Sequence, residues 1–134
     1  MVPARPRPRL AELEWEVAAG GAIGAVARYL VSEQVPWSGP PTWPSAIFAV
    51  NLIGCLLMGL LIGAIARDRR YDRWRPFAGI GVLGGFTTMS AFAAEVRDLY
   101  AGGAPAVGLS YAVVSVVAGL AAVMLGAKLV GGRA

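Results

Sequence analysis

At 134 residues, 57% of them hydrophobic and 15% charged, the chain carries far less charge than the roughly 25% of a typical soluble domain. It has no histidine and a single cysteine, which excludes histidine-based catalysis, a cysteine/histidine zinc site and any disulfide within the chain. The net charge of +4 sits on arginines between apolar stretches, so a membrane surface is the natural partner, and no nucleic-acid motif accompanies them.

Residues 1–16, MVPARPRPRLAELEWE, are basic and then acidic. They read as an N-terminal arm leading into an amphipathic helix start. A cleaved signal peptide is the alternative, but the apolar run that follows contains Arg28 and shows no convincing cleavage site. Four apolar windows come next, at 17–35, 44–66, 76–96 and 104–130. Each is about 19 residues or longer, enough to cross a hydrocarbon core of about 30 Å at 1.5 Å per residue. The sequence therefore predicts an all-α membrane protein, with four transmembrane helices over residues 17–130 and a short tail at 131–134. No room is left for a soluble catalytic domain, and no glycine-rich phosphate loop follows a strand, so an enzyme is not expected.

In the first window, Gly20, Gly21 and Gly24 precede Arg28. An isolated charge at that depth costs about 2.5–3.5 kcal/mol on insertion scales, so Arg28 requires a partner or water. It reads either as an anion-attracting vestibule residue or as a snorkelling or glutamate-paired anchor. In the second window, Gly54, Gly59 and Gly63 read as packing positions, because small residues let helix backbones approach in lipid. Asn51 differs: its amide strands up to four hydrogen-bonding valences in an apolar span. It serves either as interhelical glue or as a donor to a dehydrated anion.

The third window holds GGFTTMSAF, residues 84–92. Gly84 and Gly85 followed by two threonines predict a break in the helix, which frees backbone carbonyls at mid-membrane. Such backbone survives only where protein or a water-filled cavity surrounds it, and it commonly coordinates ions. Carbonyl oxygens suit a small hard cation such as Na⁺. Phe86 and Phe92 place aromatic rings around the break, and a ring edge carries the positive quadrupole charge that can face a dehydrated anion. Glu95 reads as an interfacial carboxylate paired to Arg97 or to water. In the fourth window Tyr111 and Ser115 lie four apart and so share a helical face.

With four crossings, the N-terminus, residues 67–75 and the C-terminus share one side of the membrane. Ten of the twelve Lys and Arg residues fall there, against Arg97 alone on the other. The positive-inside rule then puts both termini in the cytoplasm of a cell inner-membrane protein.

GAIGAVARYL, VNLIGCLLMG and GVLGGFTTMSAFAAEV, in that order, resemble the CrcB/Fluc family of fluoride channels, over essentially the whole chain from about residue 18. The resemblance implies a small passive channel that lets cytoplasmic fluoride leak out and relieves its toxicity. It implies an antiparallel dimer with two pores and a structural Na⁺ at the two-fold interface, held by backbone carbonyls that fall on Gly84 and Thr87. The family's pore asparagine matches Asn51, its two pore phenylalanines fall on positions 89 and 92, and its third-span hydroxyl matches Ser90. Tyr111 and Ser115 match the start of a polar track, Arg28 the first-span arginine and Glu95 the carboxylate after the motif.

Two departures qualify that reading. Position 89 is Met where the family usually has Phe, and position 91 is Ala where Thr is common. A thioether is polarizable but offers no positive ring edge. A homodimer inserted both ways also calls for balanced Lys and Arg, which this chain lacks. The expectation is one half of a heterodimer whose related partner inserts the opposite way. A non-conducting membrane subunit is the main alternative. A small multidrug transporter is the other, and it is opposed by Arg28 standing where such proteins carry a first-span acid.

Overall fold

The structure, a computed structural model, describes residues 10–132. Most of the expected 1–16 arm, the cations Arg5, Arg7, Arg9 and Arg133, and the end of the 131–134 tail lie outside the described residues. Everything regular among the described residues is helical: α1 (Leu10–Gln34), α2 (Ser45–Arg67), a 3₁₀ stretch (Arg69–Trp74), a π-helical stretch (Arg75–Leu83), α3 (Gly84–Phe86), α4 (Met89–Ala101) and α5 (Pro105–Gly131).

α2 and α5 each match their predicted window to within a residue, because proline or charge bounds both runs. Pro105 starts α5, where its missing N–H costs nothing. Asp68 turns extended after α2, and its side chain accepts from the Arg70 amide to start the 3₁₀ stretch. α1 begins seven residues ahead of its window, since the exposed Glu14, Trp15 and Glu16 extend it by polar turns.

Among the described residues, three segments are long and apolar enough to cross a membrane: Ser45–Arg67, Arg69–Ala101 and Pro105–Gly131. α1 has the length, at 25 residues, but carries Arg28, Glu33, Glu14 and Glu16. Apolar side chains face outward over much of the molecule. Val113, Val116, Val117, Leu120, Met124 and Leu129 of α5 are all more than half exposed. Surfaces of that extent meet lipid or another chain rather than water. The chain is a multi-pass, all-helical membrane protein.

Glycines set the packing. A Cβ on Gly59 would strike the Val123 carbonyl and one on Gly63 the Ala127 carbonyl, so α2 and α5 run in the same direction with backbones in contact. α1 lies in the same way along the third segment, with Gly20 against Phe77 and Gly24 against Val82. Of the six glycines expected to pack, only Gly21 has open space around its own Cβ position. Its backbone instead covers Gly85.

The third segment departs from the expected helix. Residues 75–83 form wide π turns, and the predicted break falls at Thr87–Thr88 rather than at the glycines. Gly84 and Gly85 stay helical, Gly85 pressed onto α1 at Gly21, whereas Thr87 and Thr88 are extended, with ψ of 154° and 122°. The threonine chemistry explains the placement. The Thr87 amide and hydroxyl both donate to the Leu83 carbonyl, at 3.0 and 2.8 Å, which closes the helix before it. Thr88 then caps α4, its hydroxyl accepting from the Ala91 amide at 3.2 Å.

Candidate functional site

The break exposes backbone groups that lipid cannot satisfy, so their partners define the site. Asn51, on α2, takes both polar groups of Thr88: its Oδ1 accepts from the Thr88 amide at 2.8 Å, and its Nδ2 donates to the Thr88 carbonyl at 3.1 Å. The amide thus acts as glue across 37 residues of chain, yet one Nδ2 hydrogen is left over. Arg28 approaches from α1, where its Nε donates to the Gly85 carbonyl at 3.2 Å. This corrects the glutamate-paired option for Arg28, because its partner is a backbone carbonyl of the helix ahead of the break.

Two carbonyls of the break, those of Gly84 and Thr87, accept no hydrogen bond among the described residues. Gly84 is exposed, with nothing near its Cβ position. No group of three or more His, Cys, Asp or Glu side chains is placed to hold a metal among the described residues.

Ser90 lies on the exposed side of α4, its Oγ 3.2 Å from that of Thr88. Met89 is 75% exposed and meets no core in the single chain. Phe92 turns the other way and packs on Tyr111, with ring centroids 5.3 Å apart. The Tyr111 side chain is fully buried, also bordered edge-on by Trp43 at 5.3 Å. Its hydroxyl donates to Glu95 Oε2 at 2.6 Å. The expected pairing of Glu95 with Arg97 is thereby overturned: Arg97 binds Asp98 instead, at 2.7 Å, because it projects from the exposed side of α4 while Glu95 faces α5. One turn beyond Tyr111, the Ser115 hydroxyl is buried and has no hydrogen-bond partner among the described residues.

The sequence-predicted residues therefore gather in two groups. Asn51, Ser90 and Arg28 surround the break, while the part-buried Phe92 and Glu95 gather on the buried Tyr111, with Ser115 one turn along α5. Met89 joins neither group. Gly85 and Thr88 were read from sequence only as part of the break, not for the partners they take, and Trp43 was not picked out at all. Thr88 alone carried a local signal, a hydroxyl three residues ahead of the amide that it caps.

The model of CrcB-like proteins (Camphor Resistance, CrcB) matches residues 15–127. A protein named fluoride-specific ion channel FluC from Caulobacter sp. (strain K31) is 45% identical over 112 residues, covering 82% of this chain and 88% of the relative. FluC 2 from Nocardia farcinica (strain IFM 10152) is 41% identical over 126 residues, covering 92% and 89%. FluC 1 from Streptomyces coelicolor (strain ATCC BAA-471 / A3(2) / M145) is 43% identical over 113 residues, covering 83% and 72%. A match that runs through all of the apolar segments and the Thr87–Thr88 break makes this chain a member of the CrcB family.

Proposed function

We propose that the chain is a subunit of a passive, fluoride-selective channel that exports cytoplasmic fluoride. The observation that carries this reading is the break at Thr87–Thr88, held open by Asn51, in a member of the CrcB family. Donor groups left over there and beyond suit a small anion that has shed its water: the second Nδ2 hydrogen of Asn51 and the unpartnered hydroxyl of Ser115. In this mechanism fluoride enters past the Arg28 guanidinium, loses water against Asn51, Ser90 and the Phe92 ring edge, and leaves along Tyr111 and Ser115. Conduction involves no chemical step.

The remaining features follow from the same reading. α1 is the fourth crossing, since it lies alongside the third segment in the same direction. Both termini are cytoplasmic and the membrane is the inner one. The working unit is an antiparallel dimer in lipid. The carbonyls of Gly84 and Thr87 fit a structural Na⁺, being hard oxygen donors with no protein hydrogen bond, and two chains supply four of them. Such an ion would neutralise the carbonyl dipoles gathered where two chains meet. Met89 and the one-sided cations support a partner of opposite orientation.

Fluoride efflux from proteoliposomes holding this chain alone, read with a fluoride electrode against a chloride control, tests the reading. Fast fluoride-selective efflux supports the channel and overturns the need for a partner. Efflux that appears only with an oppositely biased relative supports both parts. No efflux in either case leaves a non-conducting membrane subunit.

A further inference from the structure

The segment between α2 and the third crossing, RDRRYDRWR at residues 67–75, holds five arginines and two aspartates. Among the described residues one ion pair forms within it, Arg70 with Asp68 at 2.9 Å. Arg70 also donates to the Tyr71 hydroxyl at 3.0 Å and lies over that ring. Arg67, Arg69, Arg73 and Arg75 form no ion pair among the described residues. Arg73 stacks instead on Trp74, its guanidinium carbon 5.4 Å from the ring centroid. Beside that stack a cleft of about 640 Å³ opens, lined by Glu16, Arg73, Trp74 and Phe77. Its size falls within the roughly 300–1,000 Å³ of small-molecule sites.

We propose that this cleft seats the headgroup of an anionic glycerophospholipid of the phosphatidylglycerol kind. The segment joins two crossing helices, so it lies at the level of the headgroups. Trp74 and Phe77 line the cleft with the aromatic rings that favour the membrane interface. Arg73 meets the phosphate with the planar fork that suits it, and Trp74 stacking holds that fork in place. Glu16 repels a bare phosphate but accepts from the headgroup's glycerol hydroxyls, which is why a hydroxyl-bearing lipid fits better than a free anion. The site stands independently of fluoride conduction, since none of its residues belongs to the break or to the aromatic cluster.

Native mass spectrometry of the detergent-purified full chain, titrated with phosphatidylglycerol or phosphatidylcholine, tests it. Phosphatidylglycerol is expected to bind about fivefold more tightly, the worth of about one arginine at a membrane surface. Arg73→Gln is expected to abolish the preference and Arg73→Lys to retain part of it. Arg97→Gln, at the opposite end, is expected to leave it intact. Equal binding of the two lipids overturns the proposal, as does a preference undiminished in both Arg73 variants, or one lost equally in Arg97→Gln. Displacement of the lipid by millimolar glycerol 3-phosphate would assign the cleft to a soluble anion and also overturn it.

Discussion

Asn51 holds the break through two hydrogen bonds, and removing it separates its structural role from its conducting one. In Asn51→Ala the Thr88 amide and carbonyl, held at 2.8 and 3.1 Å, lose their partner together. Interhelical hydrogen bonds measured in membrane bundles contribute about 0.6 kcal/mol on average and about 1.7 at most, so two give about 1–3 kcal/mol. That shifts the equilibrium holding the break in place by about 5- to 140-fold. Asn51→Asp keeps the acceptor for the Thr88 amide but sets a carboxylate against the Thr88 carbonyl and the incoming anion. Unfolding free energy by steric trapping in bicelles, alongside fluoride efflux from liposomes, reads both effects. The expectation is that Asn51→Ala lowers both quantities. Asn51→Asp should keep more of the stability and lose all efflux. An Asn51→Ala variant with unchanged unfolding free energy and reduced efflux refutes the clamp and leaves Asn51 as a pore donor alone.

Tyr111→Phe keeps the ring that packs on Phe92 and Trp43 but removes the 2.6 Å bond to Glu95. A loss of about 0.6–1.7 kcal/mol is expected in the same unfolding assay, the range for a single interhelical hydrogen bond in a membrane bundle. Gly59→Ala drives a Cβ into the Val123 carbonyl, while Gly21→Ala meets open space. Size-exclusion chromatography in detergent is therefore expected to show the first aggregating and the second running as the parent does. Met89→Phe adds a ring at a position 75% exposed in the single chain. Stability of the single chain is expected to stay within about 0.5 kcal/mol, as for exposed sites in general, while efflux from the chain alone rises.

What could be read in advance divides along the range of the interactions involved. The bounds of α2 and α5 follow from local composition, since Pro44, Arg67 and Pro105 bracket uninterrupted apolar runs. A break in the third segment was also legible within residues 84–88, but not that it falls on the threonines and spares the glycines. Glycine is a poor helix former in isolation, yet Gly85 stays helical because α1 presses on it at Gly21, a contact between segments 64 residues apart in the chain. The π turns of residues 75–83 left no local mark in the sequence. Side-chain partners were the least legible. Each of Asn51, Arg28 and Glu95 was singled out because a polar group in an apolar span demands a partner. The partner itself lay 37, 57 and 16 residues away and was backbone in two of the three cases.

On the proposed reading, the same demand for partners sorts the groups that one chain satisfies from those left for a second. The groups satisfied within it, Asn51 on Thr88, Arg28 on Gly85 and Tyr111 on Glu95, all lie between its own helices. Among the described residues, those left unsatisfied or exposed are the Gly84 and Thr87 carbonyls, Ser90 and Met89 at the break, and the Ser115 hydroxyl on α5. In lipid a free carbonyl costs several kcal/mol, so exposed backbone at a break survives only under cover. A second chain laid over the break would supply that cover and a second set of carbonyls. Met89, 75% exposed in the single chain, would then face whatever side chain the partner brings. A thioether beside a ring edge is itself a favourable contact of about 0.3–1.5 kcal/mol, so Met at this position is compatible with a partner that keeps both of its phenylalanines. On the proposed reading, the exposed Met89 and the one-sided cations are the two features that a partner of opposite orientation would have to match.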